Sequence, residues 1–258
     1  MCLIAFAWQR HPRFRLLLVG NRDERHDRPA KALQWWPDNP DLLAGRDLQA
    51  GGTWLAVSRH GRFATVTNYR EPEATRRGLR SRGEIVQHFV AGTASPQAFA
   101  TQLDGAQYAG FSLLFTDGHE LWYLSNRGDA PRQLEAGVYG LSNAALDTPW
   151  PKLVRSRAGL QQLIDDDRIN RGSLINLLQD HTPAPAGDVQ SGEVPFDVAR
   201  LRSAPFIVAP DYGTRCTSAL LWTNDDEITL AERRFDADGR NVGETGMTFS
   251  VTQARATS

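Results

Sequence analysis

Cys2 is the residue of this sequence best placed to carry out chemistry, because it directly follows the initiator Met1. Removal of Met1 would leave a thiol and a free α-amino group on one residue. The amine titrates at about pH 8 and the thiol at about pH 8.5, so one residue would supply a nucleophile and its base. This position predicts an N-terminal nucleophile that attacks a carbonyl carbon. The structural alternative is a small buried apolar residue.

A polar cluster at residues 21–23 follows the second of two short apolar runs. These runs, at residues 3–7 and 14–19, predict two strands that pair as an antiparallel hairpin. The hairpin would bring the polar cluster next to Cys2.

In that arrangement Asp23 accepts a hydrogen bond from the α-ammonium group of Cys2 or orients it. Arg22 favours the thiolate and holds an anionic group of a substrate. A solvated turn cross-linked by surface ion pairs is the alternative interpretation of the same run of charges.

The elements predicted along the chain follow the order strands, two helices, strands, two helices, strands. Further strands are predicted at residues 53–58, 62–67, 111–116, 120–125, 137–142, 204–208, 217–223 and 228–234. Helices are predicted at residues 83–91, after Ser95, after residues 148–151 and from residue 173. Two antiparallel sheets packed face to face, with helices outside, would bury every apolar face. We therefore predict an α+β fold, a four-layer αββα sandwich, in a single domain over residues 1–258.

The composition restricts the classes of partner. The 258 residues are 41% hydrophobic, enough for a substantial core, and the net charge is -1 with a pI of about 6.6. This balance gives no reason to expect nucleic acid as a partner. The sequence has no apolar stretch of membrane-spanning length, and basic residues interrupt the N-terminus early, so we expect a cytoplasmic protein without an integral membrane segment. The two cysteines are expected to be reduced.

Familiar catalytic motifs are missing from the sequence. It contains no G-x-S-x-G, H-E-x-x-H, Walker A or G-x-G-x-x-G pattern, which removes motif support for serine hydrolases, zincins, P-loop proteins and dinucleotide-binding proteins. The six histidines are dispersed. We therefore predict neither a metal site nor a cofactor.

Several tryptophans allow two interpretations. An isolated Trp such as Trp54 or Trp150 usually packs in a core, but it also suits an apolar wall of a binding pocket. The adjacent Trp35 and Trp36 precede Pro37 in a stretch typical of a loop, where together they would form such a wall.

Six sequence blocks resemble the NRDE family, which includes the Transport and Golgi organisation 2 proteins. They are Met1-Cys2-Leu3-Ile4, Gly20-Asn21-Arg22-Asp23-Glu24, Gly51-Gly52-Thr53-Trp54-Leu55, Thr67-Asn68-Tyr69-Arg70-Glu71, Leu141-Ser142-Asn143-Ala144 with Asp147-Thr148-Pro149-Trp150-Pro151-Lys152, and Tyr212-Gly213-Thr214-Arg215. The blocks occur in order from residue 1 to residue 215 and so cover most of the chain.

That family in turn resembles the cysteine N-terminal nucleophile hydrolases, such as penicillin V acylase and bile salt hydrolase, which have the αββα sandwich. The resemblance implies catalytic roles for Cys2 and Asp23. It also implies that the amides of Asn68 and Asn143 help to form an oxyanion site. The arginine that precedes Asn-x-Asp in those enzymes is replaced here by Gly20.

The residues expected to contact the substrate are Asn21, Arg22, Trp54 and Arg215. Arg215 is the local candidate for a late arginine that contributes to the site of the related hydrolases.

Two functions follow as hypotheses. The first is hydrolysis of an amide or thioester bond in a small substrate with an apolar acyl group, with Cys2 as nucleophile and its amine as base. The second is a non-catalytic protein that keeps the fold and binds or carries a lipid, acyl-CoA or haem. The sequence gives no indication of oligomeric state.

Overall fold

Two antiparallel sheets, A and B, contain the strands, which are numbered along the chain. The computed structural model describes residues 2–71, 79–128, 130–189 and 194–252. In spatial order, sheet A consists of β10 (Gly137–Leu141), β1 (Cys2–Trp8), β2 (Phe14–Arg25), β11 (Tyr212–Thr223), β12 (Glu227–Phe235) and β13 (Asn241–Ser250). Sheet B consists of β3 (Ala30–Trp36), β4 (Asn39–Asp47), β5 (Leu55–Ser58), β6 (Phe63–Asn68), β7 (Phe111–Thr116), β8 (Leu121–Ser125) and β9 (Arg132–Gln133).

The helices cover the outer faces of the two sheets. Sheet B is covered by α1 (Gly83–Ala91) and α2 (Pro96–Gln102), and sheet A by α3 (Pro151–Asp165) and α4 (Arg171–Leu177). A short helix that the sequence did not indicate, α5 (Phe196–Leu201), follows them. None of the described helices combines the length and the apolar character needed to cross a membrane.

Three apolar clusters separate the four layers. Phe63 belongs to the cluster between the sheets, Phe89 to the one between sheet B and its helices, and Leu160 to the one between sheet A and its helices. All three side chains are fully buried. The predicted four-layer αββα arrangement is therefore confirmed.

The local patterns explain why these elements form. Helix α1 buries Ile85, Val86, Phe89 and Val90, the apolar positions at helical spacing in the sequence. Ser95 caps α2 by accepting a hydrogen bond from the backbone N–H of Ala98 at 3.2 Å. The hairpin of β1 and β2 also forms as predicted.

The expectation that Trp35 and Trp36 lie together in a loop is wrong. Both belong to β3, which pairs with β4 through two bulges. Successive strand side chains point to opposite faces, so Trp36 is buried on the helix side of sheet B while Trp35 packs against Phe249 on the other side. The two rings therefore do not form one wall.

The strand predicted at residues 204–208 is also absent. Only an isolated bridge between Val208 and Gly213 occurs there. Phe206 and Ile207 are nevertheless buried, and Phe206 packs edge-on against Phe235 at 4.7 Å between ring centroids. The apolar run reflects core packing of an irregular segment, in which Pro205 has no N–H for a strand ladder.

The glycine pair before Thr53 allows α1 to approach the chain closely. A Cβ atom on Gly52 would lie 2.7 Å from the backbone carbon of Gly83, the first residue of α1. The N–H of Thr53 donates to the Gly83 carbonyl oxygen at 3.4 Å. Backbone therefore packs directly on backbone at this edge of sheet B.

We predict that Gly52→Ala lowers the free energy of unfolding by about 1–3 kcal/mol, because the added methyl group would push the first residue of α1 away from residue 52. Urea unfolding followed by tryptophan fluorescence measures the change. Gly187→Ala is the matched control, since a Cβ atom there meets no atom within 4 Å. Equal stability of the two variants would contradict this account of the glycine pair.

Candidate active site

Cys2 begins β1 and lies in a transverse row of side chains on sheet A. It is directly opposite Arg22 on β2, and Arg22 is directly opposite Cys216 on β11. Opposed residues of antiparallel strands share a face. The apolar neighbours of Cys2 and Arg22 on that face, Ile4 and Leu18, belong to the cluster between the sheets. The row therefore faces sheet B.

A cavity of about 480 Å³ lies beside this row, and we call it the inter-sheet cavity. Of the residues singled out from the sequence, six line it: Cys2, Arg22, Asp23, Trp54, Asn68 and Arg215. The sandwich is thus filled by apolar side chains over much of its interior and opens into a polar chamber where β1 begins.

Arg22 is held by a carboxylate from sheet B. Its Nη2 atom lies 3.2 Å from Oδ2 of Asp47, and the Nε atom of Arg28 lies 2.6 Å from the same oxygen. The other oxygen of Asp47 accepts hydrogen bonds from the backbone N–H groups of Gln49 and Ala50. Asp47 therefore fixes Arg22 on the cavity wall and offsets its charge.

Asp23 lies on the opposite face of β2 from Arg22, as strand alternation requires. Its side chain is buried, and Oδ1 accepts a hydrogen bond of 2.7 Å from the Thr214 hydroxyl. Burial raises the pKa of the Asp23 carboxyl, and the charge of Lys152 on α3 opposes this. Burial likewise lowers the pKa of Lys152, with Asp23 as the opposing charge. The two groups thus form a buried acid and base behind the row.

Asn21 lies on the same face as Asp23 and lines neither cavity described here. Its amide nitrogen donates to the carbonyl oxygens of Leu178 and Pro205, and its oxygen accepts from the Thr217 hydroxyl at 2.6 Å. The structure therefore places this side chain among anchoring hydrogen bonds and does not bring it to the other candidate residues.

Asn68 and Asn143 lie together where the two sheets meet. Nδ2 of Asn143 donates to the Asn68 carbonyl oxygen at 3.0 Å, and the N–H of Arg70 donates to the Asn143 carbonyl oxygen at 2.8 Å. Asn143 has a φ of 54°, a conformation that Asn tolerates better than most residues. Within the described part of the chain, the Asn68 amide group itself has no hydrogen-bond partner.

A second cavity, of about 550 Å³, lies on the other side of Asn68, and we call it the helix-side cavity. Asn143, Trp150, Lys152 and Tyr212 line it, and it shares Asn68 and Glu24 with the inter-sheet cavity. Asn143 therefore faces a different chamber from Cys2, although it is hydrogen-bonded to a residue that borders both.

Trp54 explains why position 20 is a glycine. A Cβ atom on Gly20 would lie 3.1 Å from the indole ring of Trp54 and 3.2 Å from Ile4. The ring covers β2 at the point where the related hydrolases are expected to carry an arginine. A long side chain at position 20 would displace the ring. The arginine of β2 that lines the cavity is Arg22, two residues later.

Arg215 reaches the cavity from β11 and is anchored to the end of β2. Its Nη1 atom donates to the carbonyl oxygens of Arg25 and His26, each at 2.9 Å. These bonds hold the guanidinium group against the backbone and fix its position on the cavity wall.

Both cysteines of the chain are free and buried. Burial raises the pKa of the Cys2 thiol and raises that of Cys216 well above its usual range. The charge of Glu232, a buried carboxyl on β12, also raises the pKa of the Cys216 thiol. The pKa of Cys2 is therefore raised less than that of Cys216, so Cys2 forms a thiolate more readily.

Comparison with known proteins adds the family. The profile of the family described as "Transport and Golgi organisation 2" matches residues 1–237. The chain belongs to this family. The Transport and Golgi organization protein 2 homolog of Bos taurus is 34% identical over 256 residues, which cover 90% of this chain and 92% of the relative. The Homo sapiens homolog is 33% identical with the same coverage.

The fold of this family member is similar to that of a solved hydrolase. A crystal structure of the mutant C2A conjugated bile acid hydrolase from Clostridium perfringens has a TM-score of 0.51 to this chain, and the match covers 98% of both chains. The sequence identity is 9%, so the similarity concerns the fold. It agrees with the two helix-covered antiparallel sheets described above.

The structure adds residues that the sequence did not single out. Asp47, Lys152 and Glu232 are acids or bases at or behind the cavity walls. Lys152 is the last residue of one of the sequence blocks that resemble the NRDE family, and no other sequence feature indicated it. Asp47 and Glu232 reach the site from strands distant in sequence, and no local pattern marks them. No grouping of metal-ligating side chains occurs among the described residues.

We predict that Asp47→Asn lowers stability by about 1–3 kcal/mol at pH 7, because it weakens hydrogen bonds from two arginines. Burial alone would raise the pKa of Asp47, but the hydrogen bonds from Arg28 and Ala50 outweigh it and lower the pKa. The stabilisation is complete above the unfolded-state pKa of about 3.9 and is lost as the pH falls through the lower folded-state pKa.

Urea unfolding at pH 7 and near pH 3 measures this dependence. The difference between the wild type and Asp47→Asn should shrink at the lower pH. Asp27→Asn is the control, because Asp27 forms an exposed ion pair with Arg25 and should change stability little. A difference that is the same at both pH values would rule out a role for the charge of Asp47.

Proposed function

We propose that this protein is an N-terminal cysteine nucleophile hydrolase that cleaves an amide or thioester bond in a small substrate with an apolar acyl group. One observation carries the proposal: the cysteine at position 2 begins an interior strand of the αββα sandwich and lines a cavity. Arg22 and Asn68 line the same cavity. A nucleophile, a cation and an amide donor thus border one chamber.

The proposed reaction begins with the removal of Met1, which lies outside the described residues. The freed α-amine of Cys2 accepts the thiol proton, and the thiolate attacks the carbonyl carbon. The carbon–nitrogen bond then breaks, and the leaving amine takes the proton from the α-ammonium group. Water hydrolyses the resulting thioester, which releases the acid and restores the thiol.

In this proposal Asn68 stabilises the oxyanion that forms during attack, and Asn143 holds Asn68 in place. The Asn68 amide has no hydrogen-bond partner within the described chain and borders the cavity, so it is available as a donor. Asn143 faces the helix-side cavity and donates one N–H to the Asn68 carbonyl, so it fixes the backbone that carries this donor. Loss of one oxyanion donor costs about 3 kcal/mol in comparable sites.

Asp23 would act on the amine and not on the thiol. The backbone nitrogen of Cys2 lies in the plane of the sheet, between Arg22 on one face and Asp23 on the other. In this proposal Asp23 orients the α-ammonium group. Arg22, Trp54 and Arg215 contact the substrate from the cavity wall, and Asn21 supports the site through its anchoring bonds.

The similarity to a bile acid hydrolase supports this proposal at the level of the fold. The structure of that protein carries the substitution C2A, which places a cysteine at its own second position. We also propose that the protein acts in the cytoplasm, where both free cysteines stay reduced.

A second candidate function is non-catalytic binding or transport of a lipid, acyl-CoA or haem in the same cavities. Burial raises the pKa of the Cys2 thiol, which favours the unreactive neutral form. The names of the curated relatives refer to transport and Golgi organization and not to a reaction.

The test starts from protein purified without an N-terminal tag. We expect intact-mass analysis to show loss of Met1, and acyl amide and thioester panels to show turnover. Cys2→Ala should abolish turnover, whereas Cys216→Ala should retain it, because that thiol has no assigned role in the reaction. Retained Met1 without turnover would rule out the α-amine mechanism. Saturable lipid or haem binding that survives Cys2→Ala would then favour the carrier.

A further inference from the structure

The row that contains Cys2 continues to a fourth residue. Arg234 on β12 lies directly opposite Cys216, so Cys2, Arg22, Cys216 and Arg234 occupy four adjacent strands. All four line the inter-sheet cavity. Neighbouring strands are about 4.8 Å apart, which places the backbone of Arg234 about 14 Å from that of Cys2. The cavity therefore extends across four strands, from Cys2 to Arg234.

Arg234 is a cation that no carboxylate of the described residues contacts directly. Within the described part of the chain no carboxylate lies within ion-pair distance of its guanidinium group, and its buried Nε atom has no hydrogen-bond partner. By contrast, Arg22 is held by Asp47, and the adjacent Arg233 forms an ion pair with Glu244. A carboxylate or phosphate of a ligand would give this half-buried arginine the partner that the described residues do not supply.

The neighbouring acid does not form a direct ion pair with Arg234. Glu232 is two residues away on the same face, and its charge acts on Arg234 only at longer range. Its Oε1 atom already accepts the backbone N–H of Leu33 at 3.0 Å, and its carboxyl also interacts with Cys216. The acid therefore ties sheet A to sheet B and leaves the Arg234 guanidinium group without a directly bound carboxylate.

The Arg234 guanidinium group packs against a glycine on the neighbouring strand. Gly243 on β13 is the residue directly opposite, with a φ of 152°, and a Cβ atom there would overlap Nη2 of Arg234. Along the cavity wall, basic side chains, with Arg234 included, outnumber acidic ones by eight to four. One of these cations, Lys31 on the facing sheet, also has no carboxylate partner among the described residues.

We infer that Arg234 binds the anionic end, a carboxylate or a phosphate, of an elongated ligand that extends along the row towards Cys2. The fork of guanidinium N–H groups suits either oxyanion, and the cavity gives the rest of the ligand a path of about 14 Å. The placement of the acyl bond at Cys2 rests on the proposed function, but the anion site itself does not.

The test measures binding on the Cys2→Ala variant, so that turnover plays no part. The probes are decanoate, decyl phosphate and the neutral methyl decanoate, titrated calorimetrically. We expect at least one anionic probe to bind saturably and at least tenfold more tightly than the neutral ester. The tighter of the two anions identifies the headgroup.

Variants at two adjacent positions assign the site. Arg234→Gln should weaken binding of the anionic probe at least tenfold, and Arg234→Lys should restore most of it. Arg233→Gln is the matched control, because its ion pair is on the opposite face, and it should bind within about twofold of the parent. Circular dichroism and thermal unfolding verify that each variant is folded.

Two results would overturn the inference: equal binding by the Gln variants of Arg233 and Arg234, or neutral and anionic probes that bind alike. Its failure is distinguishable from failure of the hydrolase proposal. Anion binding at Arg234 without any turnover by the wild type would contradict only the hydrolase. Turnover that does not depend on Arg234 or on substrate charge would contradict only the anion site.

Discussion

Side-chain alternation along β2 is the constraint on which the rest of the site depends. Gly20 and Arg22 face sheet B, while Asn21 and Asp23 face the helices. A shift of one residue in the pairing with β1 would exchange these two sets and bury the guanidinium group under α3. On the neighbouring strand β11, a bulge between Thr214 and Cys216 shifts the pairing with β2. This shift places Cys216 directly opposite Arg22.

The parts of the fold that the sequence predicted are those that local patterns specify. The hairpin of β1 and β2 has two short apolar runs, and α1 has a clear helical period. Strands β3, β4 and β13 were missed for physical reasons. Bulges break the alternation of β3, β4 contains Pro40, and β13 contains two glycines and an exposed face at the sheet edge.

For the site, the sequence predicted the proximity of Cys2 to Arg22, since a hairpin determines which residues lie opposite each other. It did not predict that Asp47 would hold Arg22 or that Glu232 would reach Leu33 on the other sheet. Those contacts depend on how two sheets are placed face to face, and nothing local in a strand encodes its partner across that gap. The expectation that Asn21 contacts the substrate did not take side-chain alternation into account, which turns its amide towards Leu178 and Pro205.

Asn68 forms part of the wall between the inter-sheet and helix-side cavities, and Asn143 fastens it from the other sheet. A shared wall has a thermodynamic consequence for any ligand that displaces it. If a ligand in one chamber displaced Asn68, it would change the shape of the other chamber, so binding in the two would be linked and each ligand would alter the affinity for the other by the same factor. The hydrogen bond from Asn143 would then set the strength of that linkage, because it holds Asn68 in place.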